Sequence, residues 1–270
     1  MVLGGSDSTM TTIHRNEEAV DVDDRHNQHA TPDHAPDSDF VASVEAGDRV
    51  RHASVVTWLE GEVRRPGRGA GPATLGRIGQ ALGRIHQFSE SFDPPDGFDL
   101  PSWDVAAMFP SERLCLVEAA SHRRLVDQVA QWVGERFAEL APTPAAYGVL
   151  HHDFILLNCL HSGRQTAVID FDDSGWGFYV QDLGGMLGNL KDHTSYRSLR
   201  RSFVGGYESV RPSPSADERD LELMVALRHC TSALWLHELR ATGAMAEDLF
   251  ERNVTYRMEE IEASVAALAR

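Results

Sequence analysis

Residues 147–183, YGVLHHDFILLNCLHSGRQTAVIDFDDSGWGFYVQDL, constrain this chain more than any other stretch. Apolar segments there alternate with acids, histidines and one asparagine. Val149 and Leu150 lead into His151, His152 and Asp153, and Asn158 follows before Cys159 and Leu160 resume the apolar character. Residues 161–164 (HSGR) read as a turn. Residues 166–169 (TAVI) form a short, partly β-branched run that carries Asp170 at its end, as a strand would.

An acid at a strand exit, facing an acid and an amide on a neighbouring loop, suits phosphoryl transfer from a metal-nucleotide. A hard cation takes oxygen ligands, which the Asp170 carboxylate and the Asn158 amide oxygen can supply. An acceptor hydroxyl needs a carboxylate to take its proton, and Asp153 can serve. Protein kinases place a base Asp five residues before a metal-binding Asn, followed by a strand and a second Asp. Asp153, Asn158 and Asp170 repeat that order.

HHDFILLN followed by VIDFDDSGWGFYVQDL resembles the aminoglycoside phosphotransferase/choline kinase-like family of small-molecule kinases, with its H-x-D-x4-N, I-D-F/W and later D-L. The resemblance implies Asp153 as catalytic base and Asn158 and Asp170 as Mg2+ ligands. It implies His151 as a loop-structuring residue and Asp182 as a brace from the following helix. ATP would be the phosphoryl donor, with adenine held by backbone groups near Thr57, Trp58, Leu59 and Glu60. Family members carry a small residue before the asparagine, where this chain has Leu157. The expected fold is α+β: a kinase-like, two-lobed arrangement with a reduced N-lobe sheet and a mostly helical C-lobe.

Composition bounds the alternatives. At 270 residues, with 42% hydrophobic and 24% charged residues, the chain can bury a substantial core. A net charge of −16 without a basic stripe argues against a nucleic-acid partner, and it would suit a cationic acceptor. Cys115, Cys159 and Cys230 are widely spaced and odd in number, which reads as free thiols in a reducing compartment. No apolar run reaches membrane-spanning length and the first residues lack an apolar signal core, so a cytoplasmic protein is expected.

Residues 1–38 read as a polar, disordered tail, and residues 39–62 as partial N-lobe strands with the hinge. In the second segment DFVASVE and RHASVVTWL form a hairpin around Gly47 and Asp48. Residues 63–270 form the helical lobe. Its glycine-rich start, RRPGRGAGPATLG, meets neither nucleotide fingerprint and reads as a flexible connection. Thr74 is expected to cap a helix reaching Phe88, with Leu75, Ile78, Leu82 and Ile85 on one face, and a histidine at the place of His86 is usual in the family. A long helix is expected over residues 114–140, and further helices over 183–190, 196–207, 217–241 and 246–268. Glu208, Glu222 and Glu238 are candidates for recognising a cation.

Lys191 is the only lysine, so the upper-lobe lysine that positions phosphates in kinases has no counterpart upstream of the site. That absence favours a second reading, a catalytically weak or inactive binding module. A third, a phosphatase built on the D-x-D of Asp170 and Asp172, leaves HHDFILLN unexplained.

Overall fold

Glycines decide how the first helix meets the rest of the lobe. The computed structural model describes residues 41–46, 49–54, 58–212 and 217–270. Helix α1 (Pro72–Glu90) and helix α6 (Tyr196–Glu208) pack backbone to backbone. A Cβ at Gly79 would run into the Phe203 carbonyl oxygen, and one at Gly206 into the Gly76 carbonyl. The approach lets Leu75, Ile78 and Leu82 bury completely beside Leu199, Phe203 and Tyr207. Thr74 does not cap α1. Gly71 holds that place because Pro72 starts the helix, where a missing N–H costs nothing, and the Thr74 hydroxyl donates to the Gly69 carbonyl at 3.0 Å.

The chain divides into two compact units, residues 1–59 and 60–270. In the first, β1 (Val41–Ala46) and β2 (Arg49–Ser54) pair antiparallel with Val41 opposite Ser54, as the hairpin reading expects. The candidate tail and Thr57 lie outside the described residues. The unit boundary falls between Leu59 and Glu60, within the segment read as a hinge.

In the second unit, β3 (Glu62–Val63), β5 (Cys159–Ser162) and β6 (Gln165–Val168) form one antiparallel sheet. The glycine-rich segment after β3 is a closed turn rather than a loose connection. Arg65 and Arg68 exchange backbone hydrogen bonds, and Ala70 N–H donates to the Arg65 carbonyl. Gly67 and Gly69 reach φ values of 76° and 89°, which glycine adopts without steric cost. A two-stranded ribbon, β4 (Tyr147–Leu150) with β7 (Gly175–Phe178), sets Leu150 opposite Gly175.

Two short helices, α2 (Val105–Met108) and α3 (Ser111–Leu114), precede α4 (Ala120–Glu139). The expected 114–140 helix therefore starts later, since Leu114 and Val117 continue its apolar spacing from separate turns that bond Leu116 to Arg113 and Val117 to Leu114. After β7 come α5 (Val180–Leu190), α6, α7 (Glu218–Ala241) and α8 (Glu247–Leu268), close to the expected spans. Helix α5 is buried almost throughout, and its Gly184 lies flat against Met224 of α7. No described helix is long and apolar enough to cross a membrane.

The α1–α6 contact gives a paired prediction on adjacent residues. Gly205 faces open space whereas Gly206 touches α1. In urea denaturation Gly205→Ala is expected to gain up to about 1 kcal/mol from helix propensity. Gly206→Ala is expected to lose about 1–3 kcal/mol through overpacking.

Candidate active site

Strand β4 ends at Leu150 and delivers His151, His152 and Asp153 into a loop held by a single buried carboxylate. Asp182, in the first turn of α5, accepts the His151 N–H at 2.9 Å and the His152 N–H at 2.8 Å. His86 on α1 donates to it from Nε2 at 3.0 Å. Burial pushes the Asp182 carboxyl up, but the hydrogen bond from His86 and the backbone donor of His151 hold it below the usual carboxylate range. Burial lowers the His86 pKa and outweighs the raising effect of Asp182. The neutral ring then accepts the Tyr207 hydroxyl at Nδ1, 3.0 Å away, while Arg211 donates to the Tyr207 oxygen at 2.7 Å.

His151, fully buried, donates from Nε2 to the Ile169 carbonyl at 2.9 Å, tying the loop to the end of β6. His152 adopts φ 65°, and its ring stacks on Trp103 with centroids 3.7 Å apart and planes 2° from parallel. Trp103 Nε1 in turn donates to the Asp173 carbonyl at 2.9 Å. Asp170 is the other non-glycine residue at positive φ among those described, at 67°. Both left-handed residues flank the candidate chemistry, where such strain commonly gathers.

Asp153, Asn158 and Asp170 come together. A 3-10 turn, Leu156–Asn158, buries Leu156 and leaves Leu157 exposed, so the bulky residue ahead of the asparagine meets no obstacle. Asn158 Nδ2 donates to the Asp153 carbonyl at 2.9 Å and to its carboxylate Oδ2 at 3.1 Å. The Asn158 carbonyl accepts the Ile169 N–H at 3.0 Å, which sets Asp170 beside it.

With Nδ2 committed to Asp153, the Asn158 amide oxygen remains available to a hard cation. The Asp170 carboxyl is raised by burial and then by the negative charges of Asp172 and Asp153. Asp173 is raised by burial and by Asp153, Asp170 and Asp172. Crowded, half-exposed carboxylates of one sign are what a divalent ion would relieve. Among the described residues no three His, Cys, Asp or Glu side chains converge as a closed metal site. An all-oxygen site with few protein ligands suits Mg2+, which keeps waters and substrate phosphates around it.

Sequence reasoning missed Arg228. From α7 its Nη2 donates to Asp153 Oδ1 at 2.7 Å. Its one sequence signal is an Arg-His pair interrupting the apolar run LMVALRHCTSALWL. Two of the acids considered for cation recognition are already paired: Glu222 with Lys191 and Ser264, and Glu238 with Arg113. Glu208 is exposed. His161, buried on β5, bonds Thr166 across the hairpin.

A braced loop acid, its partner amide and a strand-end acid, carried on a helical lobe with small antiparallel sheets, define a phosphotransferase of kinase-like fold. The chain belongs to the phosphotransferase enzyme family (APH), whose model matches residues 14–219. The match reaches further toward the N-terminus than the resemblance in the sequence and stops at the start of α7. Among solved structures, a microcompartment-associated aminopropanol kinase is 24% identical with a TM-score of 0.67, over 85% of this chain and 72% of that one. The amicoumacin kinase hAmiN, in complex with AMP-PNP, Ca2+ and Ami, is 18% identical with a TM-score of 0.65, over 83% and 69%. A choline/ethanolamine kinase family protein from Mesorhizobium loti is 18% identical with a TM-score of 0.56, over 83% and 71%. These likenesses are of fold. No curated protein sequence matches the chain.

Next to Arg228, the buried His229 accepts Arg257 Nη1 at Nδ1, 3.0 Å away. Burial, reinforced by the Arg257 charge, lowers its pKa from 6.5 to about 3. A depressed histidine leaves the unfolded chain holding more protons between those two values. Its contribution is therefore complete above pH 6.5 and is lost as pH falls toward 3. Between pH 6.5 and 5 this one group is expected to cost about 2 kcal/mol of stability. Melting temperatures of His229→Gln across that range are expected to fall less steeply than those of the wild type.

Proposed function

We propose that this chain transfers the terminal phosphoryl group of ATP, with Mg2+, to a hydroxyl of a small molecule, with Asp153 as the base. The observation that carries the reading is Asn158 joining the two acids: its side-chain amide donates to the Asp153 carboxylate, and its backbone carbonyl accepts the Ile169 N–H just ahead of Asp170. Asn158 Oδ1 and the Asp170 carboxylate are the groups that would hold Mg2+, which when bound neutralises charge on the donor phosphates. Asp153 keeps one oxygen on Asn158 and the other on Arg228, so its position is fixed before an acceptor arrives. A lone pair on that carboxylate takes the acceptor proton as the new O–P bond forms and ADP leaves. Loose phosphoryl transfer depends on alignment and charge stabilisation rather than on covalent participation by the protein. The backbone near Thr57, Trp58, Leu59 and Glu60 is assigned to adenine on the family resemblance. The aminopropanol, amicoumacin and choline/ethanolamine kinases of like fold support a small-molecule acceptor.

A catalytically weak binding module is the second reading. It is favoured by the position of the sole lysine, Lys191, which is paired with Glu222 in the helical lobe.

Calorimetry with Mg2+ and a non-hydrolysable ATP analogue separates the two, together with an ADP-release assay over an alcohol panel. Asp170→Ala is expected to weaken Mg-nucleotide binding by about tenfold or more. Asp153→Ala is expected to leave nucleotide binding intact and lower turnover by about 10²–10⁴-fold. Nucleotide binding without turnover of any alcohol would leave the binding module.

A further inference from the structure

The charge nearest the candidate base on the helical side is positive. Arg228 lies ten residues into α7, beyond the part of the chain that the family model matches. Its stem crosses α5 at Gly188, where an added Cβ would come within 3.2 Å of the Arg228 Cγ. The missing side chain at Gly188 thus opens the path by which the guanidinium reaches Asp153. Both side chains are about a quarter exposed, Arg228 at 25% and Asp153 at 26%, so both reach solvent. Among the described residues, only Nη2 of the guanidinium makes a hydrogen bond, and it goes to Asp153. The remaining N–H donors of the planar fork are left for a ligand.

The surroundings reinforce that sign. Behind Arg228 stand Arg257, bonded to His229, and then Lys191, bonded to Glu222. Asp192 and Glu260 act on Arg257, and Asp173 shares the Arg228 field with Asp153. The acids Glu222 and Glu238, the sequence candidates for recognising a cation, already have partners. An acceptor whose hydroxyl reaches Asp153 must therefore pass alongside a guanidinium. An ammonium group close to that hydroxyl would meet a like charge at short range. A carboxylate would meet an open, bidentate donor. The overall charge of −16 favours cations only at long range, and screening over about 8–10 Å leaves the local guanidinium to decide.

Building on the kinase reading of this site, we propose that Arg228 selects the acceptor: the phosphorylated alcohol is a hydroxy acid, with its carboxylate held by the Arg228 fork and its hydroxyl delivered to Asp153.

Binding and turnover test this separately. Hydroxy acids of three to six carbons, each matched with the amino alcohol of the same skeleton (for example lactate with 1-amino-2-propanol), are titrated calorimetrically into the full-length protein. The titrations cover the wild type, Arg228→Gln and Arg228→Lys. At least one hydroxy acid is expected to bind about tenfold or more tighter than its amino alcohol; Arg228→Gln removes that advantage and Arg228→Lys keeps part of it. Amino alcohols binding tighter, no hydroxy acid binding at all, or an advantage that survives Arg228→Gln would each overturn the proposal. In the ADP-release assay, Arg228→Gln is expected to raise KM for hydroxy acids while affecting neutral alcohols less. Because Arg228 also holds Asp153, kcat is expected to fall for every acceptor; a fall in kcat without a rise in KM peculiar to the hydroxy acids would overturn the proposal and leave Arg228 as a group that only positions Asp153. Selective hydroxy-acid binding with no ATP-dependent turnover would uphold the anion site and refute the kinase reading alone.

Discussion

A buried carboxylate with too few donors destabilises a fold, and the arrangement around Asp182 is what keeps this one in place. Its side chain is fully buried, and it accepts from two backbone N–H groups and one imidazole. Removing a carboxylate from water costs several kcal/mol, which only close, well-aligned donors offset. Those donors come from distant parts of the chain, so satisfying the charge forces β4, α1 and α5 into register. His86 reaches it because α1 lies flat on α6 at Gly79 and Gly206. The ring is held in turn by Tyr207, by Arg211 behind it, and by Tyr179 stacked at 4.4 Å. Helix packing some distance from the cleft thereby sets the position of the loop acid.

The same brace stabilises backbone that would otherwise relax. A non-glycine residue in the left-handed region costs of order 1 kcal/mol or more. His152 and Asp170 both occupy it, one directly before Asp153 and the other at the candidate metal position. Asp182 fixes the amide of His152 and Trp103 fixes its ring, while His151 anchors the residue before Asp170. Loop and strand end are thus each tied to the fold by their own contacts. Groups fixed in advance need no reorganisation when charge develops, which is where phosphoryl transfer gains most.

The order Asp153, Asn158, Asp170 was legible because its geometry is local. A five-residue step and a hairpin of two four-residue strands leave few ways to separate the three side chains. The helices after β7 were legible from apolar spacing bounded by glycine and proline. Where neighbouring turns continue that spacing without continuing the helix, as at Leu114 and Val117, periodicity overran the true start of α4. At Thr74, cap preference lost to Pro72, whose fixed φ suits the first helical position. Arg228 lay beyond reach for another reason. It is 75 residues from Asp153 in sequence, and its partner is set by how α7 crosses α5 at Gly184 and Gly188. Contacts between helices depend on crossing geometry, which no spacing rule within one helix encodes.

Two kinds of acid therefore surround the cleft, and burial separates their roles. Asp182 has all its neighbours supplied by the protein, and its charge is fixed by them. Asp153, Asp170 and Asp173 stand at the surface among like charges, with Arg228 the nearest cation. Fixed acids shape backbone, whereas under-compensated ones attract ligands. A cation bound by the second group lowers their mutual repulsion and leaves the guanidinium free to act on whatever approaches Asp153. Substitutions near Asp182 consequently act through the fold, and on the proposed reading substitutions near Arg228 act through which acceptor reaches Asp153. Asp182 and the clustered acids all lie inside the stretch that matches the family, whereas Arg228 lies in the helix beyond it. On the proposed reading, acceptor choice is set from α7, while the loop that carries Asp153 is held in place by α1, α5 and α6.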